Sequence, residues 1–196
     1  MVLDLTGIPT KVVTQITKLS IAPVILSHVA SKSLHAHDTN VDDNVLQDIA
    51  TKKGLVMITF DKNMLTKNDT PTLTHLFEHF DKIASVVGIQ SIGLGSGFGL
   101  YEQSINGMND TSMYPELFDG LYEYKSKYKY ENKAIDWHSF DHLKQVAYQN
   151  FERILIEVEK IRDSKLNEAP YYKWIPTTDL DAVGKDHKEI ETCRTN

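Results

Sequence analysis

A chain of 196 residues, 41% hydrophobic and 24% charged, has the composition of an ordinary globular protein with one main domain. Its net charge of −6, with 21 basic residues spread along the sequence, does not indicate nucleic-acid binding, and no apolar run approaches the roughly 20 residues of a membrane span. The first residues lack a signal-peptide pattern, and the single cysteine, Cys193, excludes an internal disulfide, so we expect a reduced, cytoplasmic setting.

Short apolar runs alternate with helical patterns along the first half of the chain. The segment after the second apolar run starts with Asn40 as a candidate N-cap and has Asp42 and Asp43 near its first turn. Repeated alternation of this kind indicates parallel βαβ units and an α/β fold. The predicted strands are 2–5, 23–28, 55–60 and 91–96, and the predicted helices between them are 10–19, 40–54 and 71–87.

After Gly99 the pattern changes to a long loop, a short helix over 115–124 and a helix from about 140 to 161. We therefore predict a domain over residues 1–165 and a polar C-terminal tail over 166–196. About four parallel strands with their helices correspond to half of a (β/α)8 barrel, which takes roughly 250 residues. A compact open sheet remains an alternative that the pattern alone does not exclude.

The stretch IGLGSGFG, residues 92–99, has four glycines at the end of the fourth predicted strand. A dinucleotide-binding G-x-G-x-x-G motif needs a glycine in the sixth place, but counting from Gly93 that place is Phe98, and counting from Gly95 it is Leu100. No Lys-Ser/Thr pair follows, so the P-loop pattern fails as well. A nucleotide-binding loop is weakly supported here.

Histidines are the residues most suited to chemistry. His28 ends the second predicted strand, where active sites of α/β proteins gather. His75 and His79, like His138 and His142, are four residues apart on predicted helices, a spacing that can place two imidazoles on one metal. Neither pair has the glutamate of H-E-x-x-H, and polar neighbours favour a solvated helix face for both.

Four segments, in register from about residue 2 to 158, resemble the membrane dipeptidase (renal dipeptidase-like) family. The longest, APVILSHVASKSLHAHDTNVDDNVLQDIATKKGLVMITF, is similar to the family pattern APVIxSHSSARxxxxHxRNVPDDxLxxIAxxGGVVMxxF. The others are HFDKIASVVGIQSIGLGSGFG, NGMNDTSMYPELFDGL and VAYQNFERIL, the last being similar to ILGGNFLRVL. The glycine stretch then corresponds to the family's GSDFDG corner.

This resemblance implies the C-terminal half of a (β/α)8 barrel that binds two zinc ions at its strand ends and hydrolyses dipeptides. An H-x-D pair and a bridging glutamate belong to the first barrel half, which precedes the matched part. Of two histidine ligands, one position holds Gly7 and the other is retained as His28. The substrate-binding arginine falls on Thr39, the catalytic aspartate on Gly97 and a second aspartate on Gly99.

With one imidazole and no acid, we expect the chain to bind zinc weakly or not at all and not to hydrolyse dipeptides alone. Four strands of a barrel leave sheet edges open, so we expect a binding or interaction module that self-associates or docks on a partner chain. The alternative is an active or residually active metallodipeptidase, completed by a missing N-terminal half or a partner chain, with a dipeptide as substrate.

Overall fold

Four parallel strands in the order β1-β2-β3-β4 form the main sheet, as the strand–helix alternation predicts. The computed structural model describes residues 1–67, 70–100, 105–169 and 173. The chain divides into two units, Met1–Ser164 and Lys165–Asn196, and Cys193 lies outside the described residues. The strands of the main sheet are β1 (Leu3–Asp4), β2 (Val24–Val29), β3 (Leu55–Thr59) and β4 (Ile92–Gly95).

Helices follow each of these strands, and the predicted helices over 10–19, 71–87 and 115–124 agree with the structure within two residues. The helix predicted from about 140 to 161 is divided into two, and the short helix Lys62–Leu65 was not predicted. A short two-stranded hairpin, which the sequence did not predict, follows the helix Tyr114–Glu123. The helices are α1 (Thr10–Leu19), α2 (Asp43–Thr51), α3 (Lys62–Leu65), α4 (Leu73–Val87), α5 (Tyr114–Glu123), α6 (Phe140–Lys144) and α7 (Asn150–Ser164), and the hairpin strands are β5 (Lys129–Tyr130) and β6 (Lys133–Ala134). A π-helical segment, Gln145–Gln149, joins α6 to α7. In the described ranges, no helix has both the length and the apolar character needed to cross a bilayer.

The two faces of the sheet are covered differently because side chains alternate along each strand. Leu26 of β2 and Ile58 of β3 belong to the large core that α1, α2 and α4 complete. Ile25, one position before Leu26, and Leu55, three positions before Ile58, form a smaller core with Ile154 and Val158 of α7. Apolar residues on both faces explain why β2 and β3 read as continuous apolar runs.

Helix α7 closes the amino-terminal end of the sheet through two polar side chains. The Asn150 amide donates to the carbonyl oxygens of Ile89 (2.7 Å) and Ile92 (2.8 Å). The Arg153 guanidinium donates to the carbonyl oxygens of Lys53 (2.6 Å) and Gln90 (3.1 Å). These carbonyls precede β3 or lie at the start of β4, so the helix satisfies backbone acceptors that the sheet leaves unpaired.

One helix start differs from its prediction. The structure places the N-cap of α2 at Asp42, so the prediction of an Asn40 cap was wrong. Asn40 is instead buried, and its amide donates to the carbonyl oxygens of His35 (2.8 Å) and Met64 (2.7 Å). The side chain therefore joins the loop after β2 to α3, a role that local sequence signals do not reveal.

Candidate functional site

Near its carboxyl end, β2 contains a bulge at two polar residues, Ser27 and His28. Leu26 pairs with Val56 and Val29 with Ile58, so β2 uses one residue more than β3 between these pairs. Ser27 and His28 lie in this bulge, and bulges of this kind re-aim side chains beside functional sites. The prediction of His28 at a strand end is thus correct in position.

Ser27 links His28 to the carboxylate of Asp4 on β1. The Ser27 hydroxyl donates to Asp4 Oδ2 at 2.5 Å and lies 2.8 Å from His28 Nδ1. Because its one proton goes to Asp4, the His28 bond requires a proton on Nδ1, which places the lone pair of the neutral ring on Nε2. This is an orienting hydrogen bond of the kind that metal-binding histidines use.

Asp4 is held in its ionised form by the same network. Partial burial raises its pKa, but hydrogen bonds from Ser27 and Thr6 outweigh burial and leave the pKa below its ordinary value. The Thr6 hydroxyl donates to Asp4 Oδ1 at 2.7 Å and accepts the Ser27 backbone N–H at 2.6 Å. Sequence analysis did not find this cluster because Asp4 and Ser27 are 23 residues apart.

Two positions that the resemblance assigns to a metal ligand and the catalytic acid have a backbone that favours glycine. Gly7 has φ +74° and Gly97 has φ +67°, both in the left-handed region that L-residues rarely adopt. A histidine or an aspartate there would strain the backbone as well as add a side chain. At both positions, glycine is therefore matched to the conformation of its loop.

The corner after β4 is filled by packed groups. A methyl group on Gly95 would overlap the Ser27 carbonyl oxygen and lie 2.8 Å from the Met57 carbonyl oxygen, so the backbones of β2 and β4 approach closely here. The Phe98 ring packs edge-on against Phe60, with ring centroids 5.8 Å apart. This stretch is accordingly a corner where backbone and aromatic side chains pack closely.

A cavity of about 300 Å³ lies between the loops that follow β1 and β2. Gly7 and Thr39 both line it, together with the polar side chains of Lys32 and Asp38. The structure thus brings together two of the predicted site positions. His28 and Gly97 are not among the residues that line this cavity.

The residues present do not fit a two-zinc centre. Among the described residues, no group of three or more His, Cys, Asp or Glu side chains is arranged to hold a metal ion. Catalytic zinc takes three protein ligands and a water, whereas the carboxylate of Asp4, which Ser27 links to His28, is already engaged by Ser27 and Thr6. Whether His28 binds a metal in solution stays a prediction.

The paired histidines lie in different surroundings, and the position of one of them differs from its prediction. His79 is 1% exposed, so the prediction of a solvated helix face was wrong for it. Its Nδ1 accepts the Ser31 backbone N–H (3.0 Å) and its Nε2 donates to the Leu65 carbonyl oxygen (2.9 Å). Burial lowers the pKa of His79 to about 4. His138 is exposed and stacks on Tyr122, with ring centroids 3.9 Å apart.

Comparison with known proteins places these features in a family. Human Dipeptidase 3 is 28% identical over 187 residues, which are 95% of this chain and 36% of that protein. Dipeptidase tcpJ of Claviceps purpurea is 27% identical over 171 residues, 87% of this chain and 37% of that protein. The chain therefore spans little more than a third of the length of these relatives.

Solved structures show the same fold at lower identity. A metallo peptidase from Rhodobacter sphaeroides, crystallised with a phosphinate mimic of the dipeptide L-Ala-D-Ala, has a TM-score of 0.68 and 19% identity, over 79% of this chain and 42% of that one. An amidohydrolase from Pseudomonas aeruginosa has a TM-score of 0.66 and 21% identity, over 81% of this chain and 52% of that one. The α/β half-barrel inferred from sequence is confirmed. Because the family model "Membrane dipeptidase (Peptidase family M19)" matches residues 1–169, the chain belongs to the membrane dipeptidase family.

Proposed function

We propose that this chain is a non-hydrolytic member of its family that acts as a binding or interaction module. The observation that carries the proposal is the left-handed backbone of Gly7 and Gly97, the positions that the resemblance assigns to a metal ligand and a catalytic acid. Around them, the scaffold of strands, helices and packed cores is complete within the described residues.

The chemistry of the family reaction explains why these replacements matter. Metal-assisted hydrolysis needs a metal ion that lowers the pKa of a bound water and polarises the peptide carbonyl. His28 is the one ligand position that the resemblance finds occupied by a histidine, and its ring is oriented by Ser27 and Asp4. Without an acid at Gly97, the chain has no carboxylate at that position to carry a proton, and Thr39 offers no charge-assisted contact to a substrate carboxylate.

Metal content and activity of the full chain test this proposal together. We expect well below one zinc per chain after equilibration with excess zinc and dialysis, and no hydrolysis of Ala-Ala or related dipeptides. His28→Asn should leave both readings unchanged, since a ring without co-ligands holds no ion. Stoichiometric zinc that the His28→Asn substitution removes, together with hydrolysis, would overturn the proposal.

The interaction part of the proposal rests on uncovered sheet edges. Within the described residues, β1 pairs only with β2 and β4 only with β3, so each outer strand presents one unpaired edge. Large apolar side chains are also exposed near the first two strands, including Leu19 at 82% and Ile21 at 61%. These surfaces favour association with another chain.

We propose a second copy of the chain as the occupant. Two copies related by a twofold axis would place β4 of each beside β1 of the other, which closes eight parallel strands without leaving an edge. Sedimentation equilibrium should then show a dimer at micromolar concentration. A monomer across the accessible concentration range would reject self-association and leave a different chain as the partner.

A second candidate function is a metallodipeptidase completed by another chain that supplies the first barrel half. The observation in its favour is the Asp4–Ser27–His28 network, which keeps an imidazole in the ligand-competent tautomer. Dipeptide hydrolysis that appears only when such a chain is added, and that His28→Asn abolishes, would establish this alternative. No hydrolysis by the mixture would reject it.

A further inference from the structure

A second cavity, of about 370 Å³, lies between the loop after β2 and helix α3. It is separate from the cavity that Gly7 and Thr39 line, and neither the family resemblance nor the proposed function uses it. None of the described residues that line it is acidic. Its polar lining consists of His35, His37, Lys62, Asn63, Thr66 and Lys67.

The walls of this basic cavity are joined by hydrogen bonds. Asn40, 5% exposed, donates to the carbonyl oxygens of His35 and Met64, one from each wall. The His35 ring donates from Nε2 to the Asn63 carbonyl oxygen at 3.1 Å. The buried His79 ring also hydrogen-bonds to the Leu65 carbonyl oxygen at the end of α3 and to the Ser31 backbone N–H, which follows β2. The cavity is therefore pre-organised, which reduces the entropy that a ligand would lose on binding.

The groups that line the basic cavity are donors and cations. Lys62 and Lys67 have no ion pair with any described acidic residue. His37 Nδ1 accepts the Thr39 backbone N–H at 3.4 Å and lies 2.8 Å from the Thr39 hydroxyl, and in the tautomer with the proton on Nε2 this ring presents a donor. Lys62 and Lys67 thus give this cavity two positive charges in a chain whose net charge is −6.

Among the described residues, the carboxylates nearest to this cavity in sequence are those of Asp38 and Asp61, and neither forms an ion pair with Lys62 or Lys67. Asp61 Oδ1 accepts the Asn63 backbone N–H at 2.9 Å and caps α3. Asp38 lines the other cavity, beside Lys32. Within the part of the chain that the structure describes, the lysines of the basic cavity therefore have no carboxylate partner.

We propose that the basic cavity binds a phosphate group, either free or carried by a small molecule. A phosphate carries about −1.5 to −2 charges near pH 7 and three acceptor oxygens, which match two ammonium groups and an imidazole N–H. A single carboxylate has half the charge and fewer acceptors. The volume of about 370 Å³ is at the lower end of small-molecule sites, so the ligand is a phosphate monoester or smaller.

An NMR titration of the full chain tests this site directly. Inorganic phosphate, pyrophosphate and glycerol 3-phosphate are added at constant pH and ionic strength while the ring Cε1–H signals of the histidines are followed. We expect saturable shifts of the His35 and His37 signals. The signals of His138 and His142, which do not line this cavity, should not shift and serve as internal controls. Tighter binding of glycerol 3-phosphate than of phosphate would identify an ester as the source, and the reverse order would identify the free ion.

Matched double variants separate a site from general charge attraction. Lys62→Gln with Lys67→Gln should weaken binding about tenfold, the order expected for two exposed ion pairs. Lys129→Gln with Lys133→Gln, in the β5–β6 hairpin, changes the net charge equally and should leave binding unchanged. Equal weakening by both variants, or no saturable shift in the unmodified chain, would overturn the proposal. If the first variant fails to fold, the titration of the unmodified chain still tests whether the cavity binds phosphate.

Discussion

The two ends of the main sheet differ in what their polar and loop residues do. At the amino-terminal end, Asn150 and Arg153 donate to backbone carbonyls that would otherwise be unpaired. At the carboxyl end, Gly7 and Gly97 occupy positions where members of this family are expected to carry a ligand and an acid. The amino-terminal end thus has the hydrogen bonds that support the scaffold. The carboxyl end has glycine at positions that the resemblance assigns to residues with a role in hydrolysis.

This difference teaches that the structural and chemical demands on a half-barrel are separable. Removing the groups at the amino-terminal end would leave backbone carbonyls without donors, which costs stability. At the carboxyl end, loop positions such as Gly7 are open, since a methyl group placed there would meet no other part of the chain within 4 Å. Loss of a side chain there is therefore compatible with a stable fold.

The largest effect should come from the place where the carboxyl end is most tightly packed. Gly95→Ala would put a methyl group against the backbone oxygens of Ser27 and Met57, which cannot rotate away as side chains do. We expect a loss of about 4 kcal/mol in the free energy of unfolding, measured by urea denaturation. Gly99→Ala, with no atom within 4 Å, is the control and should cost only the backbone strain of its positive φ, about 1 kcal/mol. Equal losses would show that the corner is not close-packed.

Stability near the carboxyl end should depend on pH through His79. The folded chain binds a proton on this ring only near pH 4, whereas an unfolded histidine binds one near pH 6.5. Stabilisation by the neutral ring is therefore full above pH 6.5 and is lost as the pH falls towards 4, by about 3 kcal/mol in total. Urea denaturation at several pH values measures this slope.

His79→Gln should flatten that slope between pH 6.5 and 4, while His138→Gln, at an exposed ring, should leave it unchanged. A slope that persists in His79→Gln would assign the acid sensitivity to carboxylates instead.

At the amino-terminal end, Asn150→Ala should cost about 2 kcal/mol because two hydrogen bonds to buried carbonyls are lost together. Gln149→Ala, at the neighbouring exposed position, should change the free energy of unfolding by less than about 0.5 kcal/mol. Thermal and urea denaturation measure both variants. If the two substitutions had similar effects, the contrast between the ends of the sheet would lose its basis.

Ser27→Ala should cost less, about 1 kcal/mol, because water can replace the hydroxyl at the exposed carboxylate of Asp4. A clearer test of the hydrogen bond is the pKa of Asp4, which should rise towards its ordinary value once the Ser27 hydroxyl is gone. A carboxyl ¹³C titration measures this change. An unchanged pKa would mean that Ser27 does not hold the carboxylate, and hence does not set the tautomer of His28.

The smallest effect should come from restoring one acid. Gly97→Asp should change the free energy of unfolding by about 1 kcal/mol, since aspartate tolerates a left-handed backbone better than most residues. It should not create dipeptide hydrolysis, because the metal ligands are still missing. Hydrolysis by this single variant would show that the carboxyl end is only one residue away from activity.

Much of the fold could be predicted because its signals are local. The helix over 10–19 agrees with α1, Thr10–Leu19, and the four strands were found within one or two residues at each end. Apolar runs such as LVMITF mark strands buried on both faces wherever they occur in a chain. The family motifs, read in register, were enough to identify which half of a barrel these strands form.

The candidate site was only partly predictable, since its contacts join distant parts of the chain. Asp4 and Ser27 are 23 residues apart, and His79 binds a backbone group 48 residues away. The polar neighbours of His79 in sequence gave no sign that its ring would be buried, and Asn40 looked like a helix cap. Burial and hydrogen-bond partners depend on which elements pack together.

By itself, the sequence determined the α/β class, the order of the main elements, the family and the presence of glycine at positions 7 and 97, because periodicity and residue identity need no third dimension. Only the tertiary structure decided that Ser27 orients His28, that His79 is neutral and buried, and that two lysines and two histidines line one cavity. Those properties arise from distances between elements, and such distances are set by packing of the whole fold.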